Sequence, residues 1–251
     1  MADQLEGRNA VLEAIKEDRE IMEIFVLSTG KEKALQDIQQ SAKARKIPVK
    51  MVDKRKLDQM SKTSHHQGVI ALVPEYAYAQ LEDVLQKGRQ MKDPLLVILD
   101  GIEDPHNLGS VLRSAEVFGA IGVVIPKRRA VGVTPTVAKV ASGALEHMPV
   151  VQVANLTDTI KRLKKDGYWV AGGAGESSNK VMDQALTGPL VLVIGSEGKG
   201  ISRLVREQCD YLVQIPMAGR TGSLNASVAT GILLYEIFRQ RLSKGRTEER
   251  S

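Results

Sequence analysis

From residue 95 onward the sequence alternates short, continuously apolar runs with stretches of helical period. Strands are predicted at 95–99, 122–125, 150–153, 168–171, 190–194 and 211–215. Helices are predicted after Asn107 and at 135–141, 156–165, 201–208 and 224 to about 241. A strand apolar at every position has no face for water, so these runs predict an α/β fold whose mostly parallel sheet is covered by helices on both sides. Sheets of this kind bind ligands at the carboxyl ends of their strands.

The first 73 residues predict a separate, smaller α/β domain. Val11, Leu12 and Ile15 have helical spacing, 24–27 reads as a buried strand, 31–45 as a charged amphipathic helix, and 48–52 and 68–73 as two further strands. Residues 74–93 open on Pro74, close on Asp93-Pro94 and hold one weak helix (Leu81, Val84, Leu85), so they are expected to be a linker. The larger domain then spans 94–243, and 244–251 is expected to be a flexible tail. A length of 251 residues suits two modest domains, and an apolar share of 43% suffices for real cores.

Several function classes fall away. No apolar run approaches the roughly 18 to 20 residues of a membrane span, and the acidic, polar start is unlike a signal peptide, so a cytoplasmic protein is expected. The single cysteine, Cys209, forms no internal disulfide. Four histidines without CxxC or HExxH spacing predict no metal site.

The net charge of +5 is concentrated. Residues 43–62 carry eight lysines and arginines, among them Lys54 and Arg55, against Asp53 and Asp58. That segment is +6, and the rest of the chain sums to −1. A second cluster, Lys127-Arg128-Arg129, follows an apolar strand, and Arg239, Arg241, Lys244, Arg246 and Arg250 crowd the C-terminus. Such patches suit a polyanion such as RNA, although any one of them is as readily a solvated face.

Three polar clusters sit just past predicted strands. After 97–99 comes a loop leading into a helix, with Asn107 near the N-cap and Arg113 six residues on, offering an amide and a cation together. After 190–194 comes Gly195-Ser196-Glu197-Gly198-Lys199-Gly200, whose glycines permit positive φ or close approach. It lacks GxGxxG spacing, and Lys199 is followed by Gly200 where a P-loop needs Ser or Thr. After 211–215 a glycine-containing loop reaches Ser223-Leu224-Asn225-Ala226-Ser227, with Ser223 the expected cap of the last helix. Singly, each is more readily a tight connection or a cap than a site.

Taken in order, these clusters resemble the SpoU (TrmH-like) class of AdoMet-dependent RNA ribose 2′-O-methyltransferases, in the knotted SPOUT superfamily. Asn107 and Arg113 match its first motif, Gly195, Glu197 and Gly200 its second, and Ser223, Leu224, Asn225 and Ser227 its third, over roughly residues 97 to 240. The N-terminal part is similar to the family's ribosomal-protein-L30-like (L30e-like) substrate-binding domain, with Gly7-Arg8-Asn9 near its start and His66-Gln67-Gly68 before its last strand. Asn9 departs from the histidine that many members carry.

The resemblance implies a deep trefoil knot, which periodicity would never suggest. It also implies an AdoMet pocket formed by Gly173, Ile194, Gly195, Ile215, Met217 and Leu224, and no metal. Arg113, Asn107, Glu197, Ser223 and Asn225 become the expected catalytic set. Arg8, Asn9, His66 and Gln67, with Lys54 and Arg55, become the expected RNA-binding face. Within the family the likeness is nearest to members that methylate a guanosine in the peptidyl-transferase loop of 23S rRNA, acting on rRNA or a large-subunit assembly intermediate as homodimers. The dimer would use the long last helix, whose apolar stripe (Val228, Ile232, Leu233, Tyr235, Phe238) suits a core helix equally well. Alternatives are a sister enzyme acting on tRNA or another rRNA nucleotide, and a catalytically silent RNA-binding or ribosome-assembly protein. Methyl transfer from a sulfonium needs positioning rather than a covalent nucleophile, so Cys209 is expected to be a small core residue.

Overall fold

A computed structural model describes residues 2–16, 20–30, 32–62, 65–74, 76–219 and 222–248. The chain forms two compact units, residues 1–77 and 78–251.

The first unit runs β1 (Ala2–Glu6), α1 (Arg8–Lys16), β2 (Glu23–Leu27), α2 (Lys33–Ala44), β3 (Val49–Val52), α3 (Lys54–Met60), β4 (Val69–Pro74). Its sheet has the order β1-β4-β2-β3, with β2 and β3 parallel and the other pairs antiparallel. Val11, Ile15, Ile24, Leu35 and Ile38 close one core under α1 and α2, while Phe25, Leu57 and Ile70 pin α3 on the other face. Two of these elements escape the periodicity. β1 is a polar edge strand that contributes Leu5 to the core, and α3 has one buried residue, Leu57.

The second unit runs α4 (Leu81–Gly88), β5 (Leu95–Asp100), α5 (Pro105–Val117), β6 (Gly122–Pro126), α6 (Pro135–Ala141), β7 (Val150–Val153), α7 (Leu156–Lys165), β8 (Trp169–Gly173), β9 (Leu190–Gly195), α8 (Arg203–Arg206), β10 (Tyr211–Val213), α9 (Ala226–Glu248). The six strands are parallel in the order β10-β8-β9-β5-β6-β7. The apolar residues of the central strands, 95–99 and 190–194, are all buried, as a doubly covered sheet requires. Residues of α4, α7 and α8 pack on one face of the sheet, and α5, α6 and α9 pack together as a second helical group.

Three expectations need correction. Residues 74–93 are not a linker: Pro74 ends β4, Ala79 N–H donates to Val150 O (2.9 Å), and α4 buries Val84 and Leu85 against Ile121 and Tyr168. Two apolar side chains on one helical turn are enough to join the core when a neighbouring sheet offers a surface. Nor is 244–248 a tail, because α9 continues to Glu248; residues 249–251, with Arg250, lie outside the described residues. Arg241 is not part of an open basic patch. Its guanidinium is partly buried, donating to Asp93 O (2.6 Å) and Gly188 O (3.0 Å), and burial lowers its pKa. Among the described residues no helix is long and apolar enough to cross a membrane, and no three metal-ligating side chains converge.

Candidate active site

Three elements bring the site together at the carboxyl end of the parallel sheet. Asp104 caps α5 by accepting from His106 N–H (2.7 Å), with Pro105 in the first position. Asn107 is therefore not the cap. It lies inside the first turn with its side chain buried, and its amide Nδ2 donates to Glu197 Oε1 (2.8 Å).

Glu197 stands in a turn leaving β9 that is closed by paired bonds, Ser196 N–H to Gly200 O (3.1 Å) and Gly200 N–H to Ser196 O (2.9 Å). The glycines are required by this geometry. Gly198 and Gly200 have φ of +81° and +64°, and a Cβ on Gly195 would come within 2.0 Å of the Gly200 carbonyl carbon. Asp100 at the end of β5 accepts from Ser202 N–H (2.7 Å) and ties the strand to the segment after this turn, a role the sequence did not single out.

Asn225 caps α9, correcting the expectation for Ser223. Its Oδ1 accepts from Ser227 N–H (3.0 Å), Val228 N–H (3.2 Å) and Ser227 Oγ (2.6 Å). With the oxygen committed to the helix, Nδ2 is forced to face the other way and donates to Glu197 Oε1 (2.6 Å) and Asn107 Oδ1 (2.9 Å). One carboxylate oxygen thus receives two side-chain amides and the Ala226 N–H (3.3 Å). Residues 107, 197 and 225, distant in sequence, form one polar cluster with fixed amide orientations.

Arg113 is not in it. Six residues advance a helix by about 600°, so Arg113 points roughly a third of a turn away from Asn107. It is exposed, with no hydrogen bond or ion pair among the described residues.

Two cavities, of about 510 and 690 Å3, flank the cluster and share Ser196, Glu197 and Gly200. All six expected cofactor residues, Gly173, Ile194, Gly195, Ile215, Met217 and Leu224, line the smaller one, with Ser223 beside them. Its walls combine apolar side chains, Val213 and Leu233 included, with glycine backbone and the polar Glu176, Ser196, Glu197 and Ser223, and a Cβ on Gly173 would press on Leu233 Cδ1 (2.9 Å) and Ile194 Cδ1 (3.2 Å). Arg220 and Thr221 of the adjoining loop lie outside the described residues. Cys209 is set apart from this chemistry: burial, helped by neighbouring Asp210, pushes its thiol up to about 11.

In the first unit, Arg8 and Gln67 meet. Arg8 N–H donates to Gln67 Oε1 (3.2 Å) and its Nε to Gln67 O (2.9 Å), while its guanidinium pairs with Glu32. Asn9 is exposed in the first turn of α1. The buried His66 has both ring nitrogens engaged internally: Nδ1 accepts from Gly68 N–H (3.0 Å), which leaves Nε2–H to donate to Asp58 (2.9 Å). His66 thereby holds α3 in place, and α3 presents Lys54 and Arg55 to solvent.

Comparison with known proteins identifies the family. The family model described as the SpoU rRNA methylase family matches residues 94–235, and that described as RNA 2′-O ribose methyltransferase substrate binding matches residues 4–79. The chain is 47% identical over 240 residues to YacO of Bacillus subtilis, a TrmH-family tRNA/rRNA methyltransferase by name, covering 95% of this chain and 96% of that one. Among solved structures it is similar to the SpoU methyltransferase AviRb of Streptomyces viridochromogenes in complex with AdoMet, with a TM-score of 0.64, 25% identity and coverage of 96% and 91%. It is also similar to the AdoMet-bound rRNA methyltransferase of Sinorhizobium meliloti, with a TM-score of 0.62, 25% identity and coverage of 95% and 87%. The catalytic-domain match spans more than half of the chain and contains the whole 107–197–225 cluster, so the chain belongs to the SpoU rRNA methylase family.

Proposed function

We propose that this protein transfers a methyl group from AdoMet to a ribose 2′-hydroxyl of RNA, with a guanosine in the peptidyl-transferase loop of 23S rRNA as the target. The observation that carries the reading is the Asn107–Glu197–Asn225 cluster, whose Glu197 lines both cavities. The smaller cavity fits AdoMet in kind. Its apolar side chains suit an adenosine, and the Gly173 cradle has no room for a side chain. When bound there, AdoMet supplies an electrophilic methyl. Gly173, Ile194, Gly195, Ile215, Met217 and Leu224 would hold it, in a pocket that the family resemblance folds as a trefoil knot.

The chain's own residues then position the acceptor. Glu197 locks the Asn107 and Asn225 amides, so that a ribose entering between the cavities meets oriented polar groups rather than mobile ones. Ser223 shapes the same wall. Arg113 acts beside an RNA phosphate, taking the hydroxyl proton or holding the developing alkoxide charge. An unassisted guanidinium stays protonated at neutral pH and is a poor base. Arg8, Asn9 and Gln67, with Lys54 and Arg55, form the recognition face of the first unit. His66 supports that face by fixing α3. On this reading the protein works in the cytoplasm on 23S rRNA or a large-subunit assembly intermediate.

The last helix supports a homodimer. Its apolar stripe divides: Leu233 turns inward, while Val228, Ile232, Tyr235, Phe238 and Leu242 are between 38% and 54% exposed along one face.

The test is transfer from labelled AdoMet to rRNA and tRNA of a cell lacking the protein, followed by mapping of 2′-O-methylated sites. One large-subunit guanosine is the expected product, and a tRNA product would overturn the target. No transfer to either would favour the silent-binder alternative. Arg113→Ala is expected to cut turnover about 100-fold or more while AdoMet affinity holds; near-normal turnover would remove Arg113 from the mechanism.

A further inference from the structure

The cationic motif Lys127-Arg128-Arg129 takes no part in the amide–carboxylate cluster, yet it is built into the larger cavity. The loop that carries it leaves β6 and is tied down on both sides. Lys127 N–H donates to Val153 O (2.8 Å), and Val131 N–H to Ile102 O (2.9 Å). Between these ties Arg129 has a φ of +58°, a left-handed conformation that residues with a side chain rarely adopt. The surrounding fold therefore imposes the placement of the two arginines. Arg128 and Arg129 are exposed, line the 690 Å3 cavity, and have no hydrogen bond or ion pair among the described residues.

The acids on the same walls are mostly committed elsewhere. Asp100 accepts from Ser202 N–H, Asp104 caps α5, and Glu197 holds the asparagines. Glu103 stands without a partner among the described residues, an acceptor for base or sugar donors. Ile102, Leu156 and the 56% exposed Leu204 supply apolar surface. The cavity lining thus offers two guanidinium groups, apolar side chains, and the polar pair Asn107 and Glu197. Phosphate, base and ribose of one nucleotide need those three surfaces in that combination, whereas a free anion would use only the first.

We propose that Arg128 and Arg129 clamp a backbone phosphate of the RNA strand next to the target ribose, and so position the nucleotide at the Glu197 cluster. This rests on the RNA-methylation reading. The residues are positioning residues, so their loss is expected to raise KM for RNA more than it lowers kcat.

The experiment compares Arg128→Ala/Arg129→Ala with Lys161→Ala/Lys165→Ala, which removes equal charge from the exposed face of α7. Binding of a labelled 23S rRNA fragment covering the peptidyl-transferase loop is measured across salt concentrations, with KM and kcat for methyl transfer to the same RNA and the Kd for AdoMet. The arginine variant is expected to lower the log–log salt slope by about 0.7 for each phosphate of single-stranded RNA that the arginines no longer neutralise. KM should rise about tenfold, with AdoMet affinity unchanged. Arg128→Lys/Arg129→Lys is expected to restore the slope. An unchanged slope and KM in the arginine variant, with methyl transfer intact, would overturn the clamp and leave the function standing. A wild-type protein that neither binds nor methylates RNA would overturn both.

Discussion

Asn225 shows how a single side chain couples a helix end to a polar cluster. Its oxygen caps α9 and its nitrogen grips Glu197, so the helix sets the amide orientation that the site uses. The two roles separate by substitution. Asn225→Ser keeps an efficient cap, and its thermal midpoint is expected to stay within about 2 °C of wild type; Asn225→Ala loses about 1 kcal/mol of helix capping. Both lack the amide Nδ2 that joins Glu197 to Asn107, and both are expected to lose turnover about 100-fold, read as methyl transfer beside a melting curve. Equal activity in wild type and the serine variant would show that the amide has no catalytic use. The residue types at 107, 197 and 225 were legible in the sequence through the family resemblance. Their hydrogen-bond roles were not, because which amide face is available depends on which helix end claims the oxygen.

At the scale of elements, the strands from β5 to β9 could be read closely because a doubly covered strand must be apolar at every position. The elements missed or shortened obey other rules. β1 is polar and exists through pairing with β4, and α4 joins the core through two side chains that look unremarkable in a polar window. Arg241 belongs to the same class. Sequence places it among basic residues, while packing makes it the tie between α9 and the loops at Asp93 and Gly188. Arg241→Ala leaves both carbonyls without that donor and is expected to destabilise the protein by about 2 kcal/mol, lowering the melting midpoint by about 4–8 °C. The salt slope of RNA binding is expected to stay unchanged. A drop in that slope would place Arg241 on the RNA face after all.

At the scale of the whole molecule, α9 has a buried face at Leu233, Leu234 and Ile237 and an exposed apolar one, where Phe118 packs edge-on to Tyr235 with ring centroids 6.0 Å apart. Exposed Val117 and Arg113 lie one turn apart on the same side of α5. If two copies pair through this stripe, Ile232→Asp/Tyr235→Asp is expected to convert a dimer to a monomer in light scattering, with methyl transfer falling alongside because Arg113 borders the seam. A wild-type protein monomeric at micromolar concentration would remove the interface. By itself the sequence determined the α/β class, the central strands and the membership of the three motifs, since apolar periodicity and motif spacing are local properties. The tertiary structure alone decided that Asn107 and Arg113 face different ways, that His66 is an internal tie, that α4 packs into the core of the second unit and that Arg128 and Arg129 face a cavity. Those outcomes depend on which surfaces meet after the chain has folded back on itself, and burial and hydrogen-bond competition across 90 to 118 residues leave no trace in local sequence pattern.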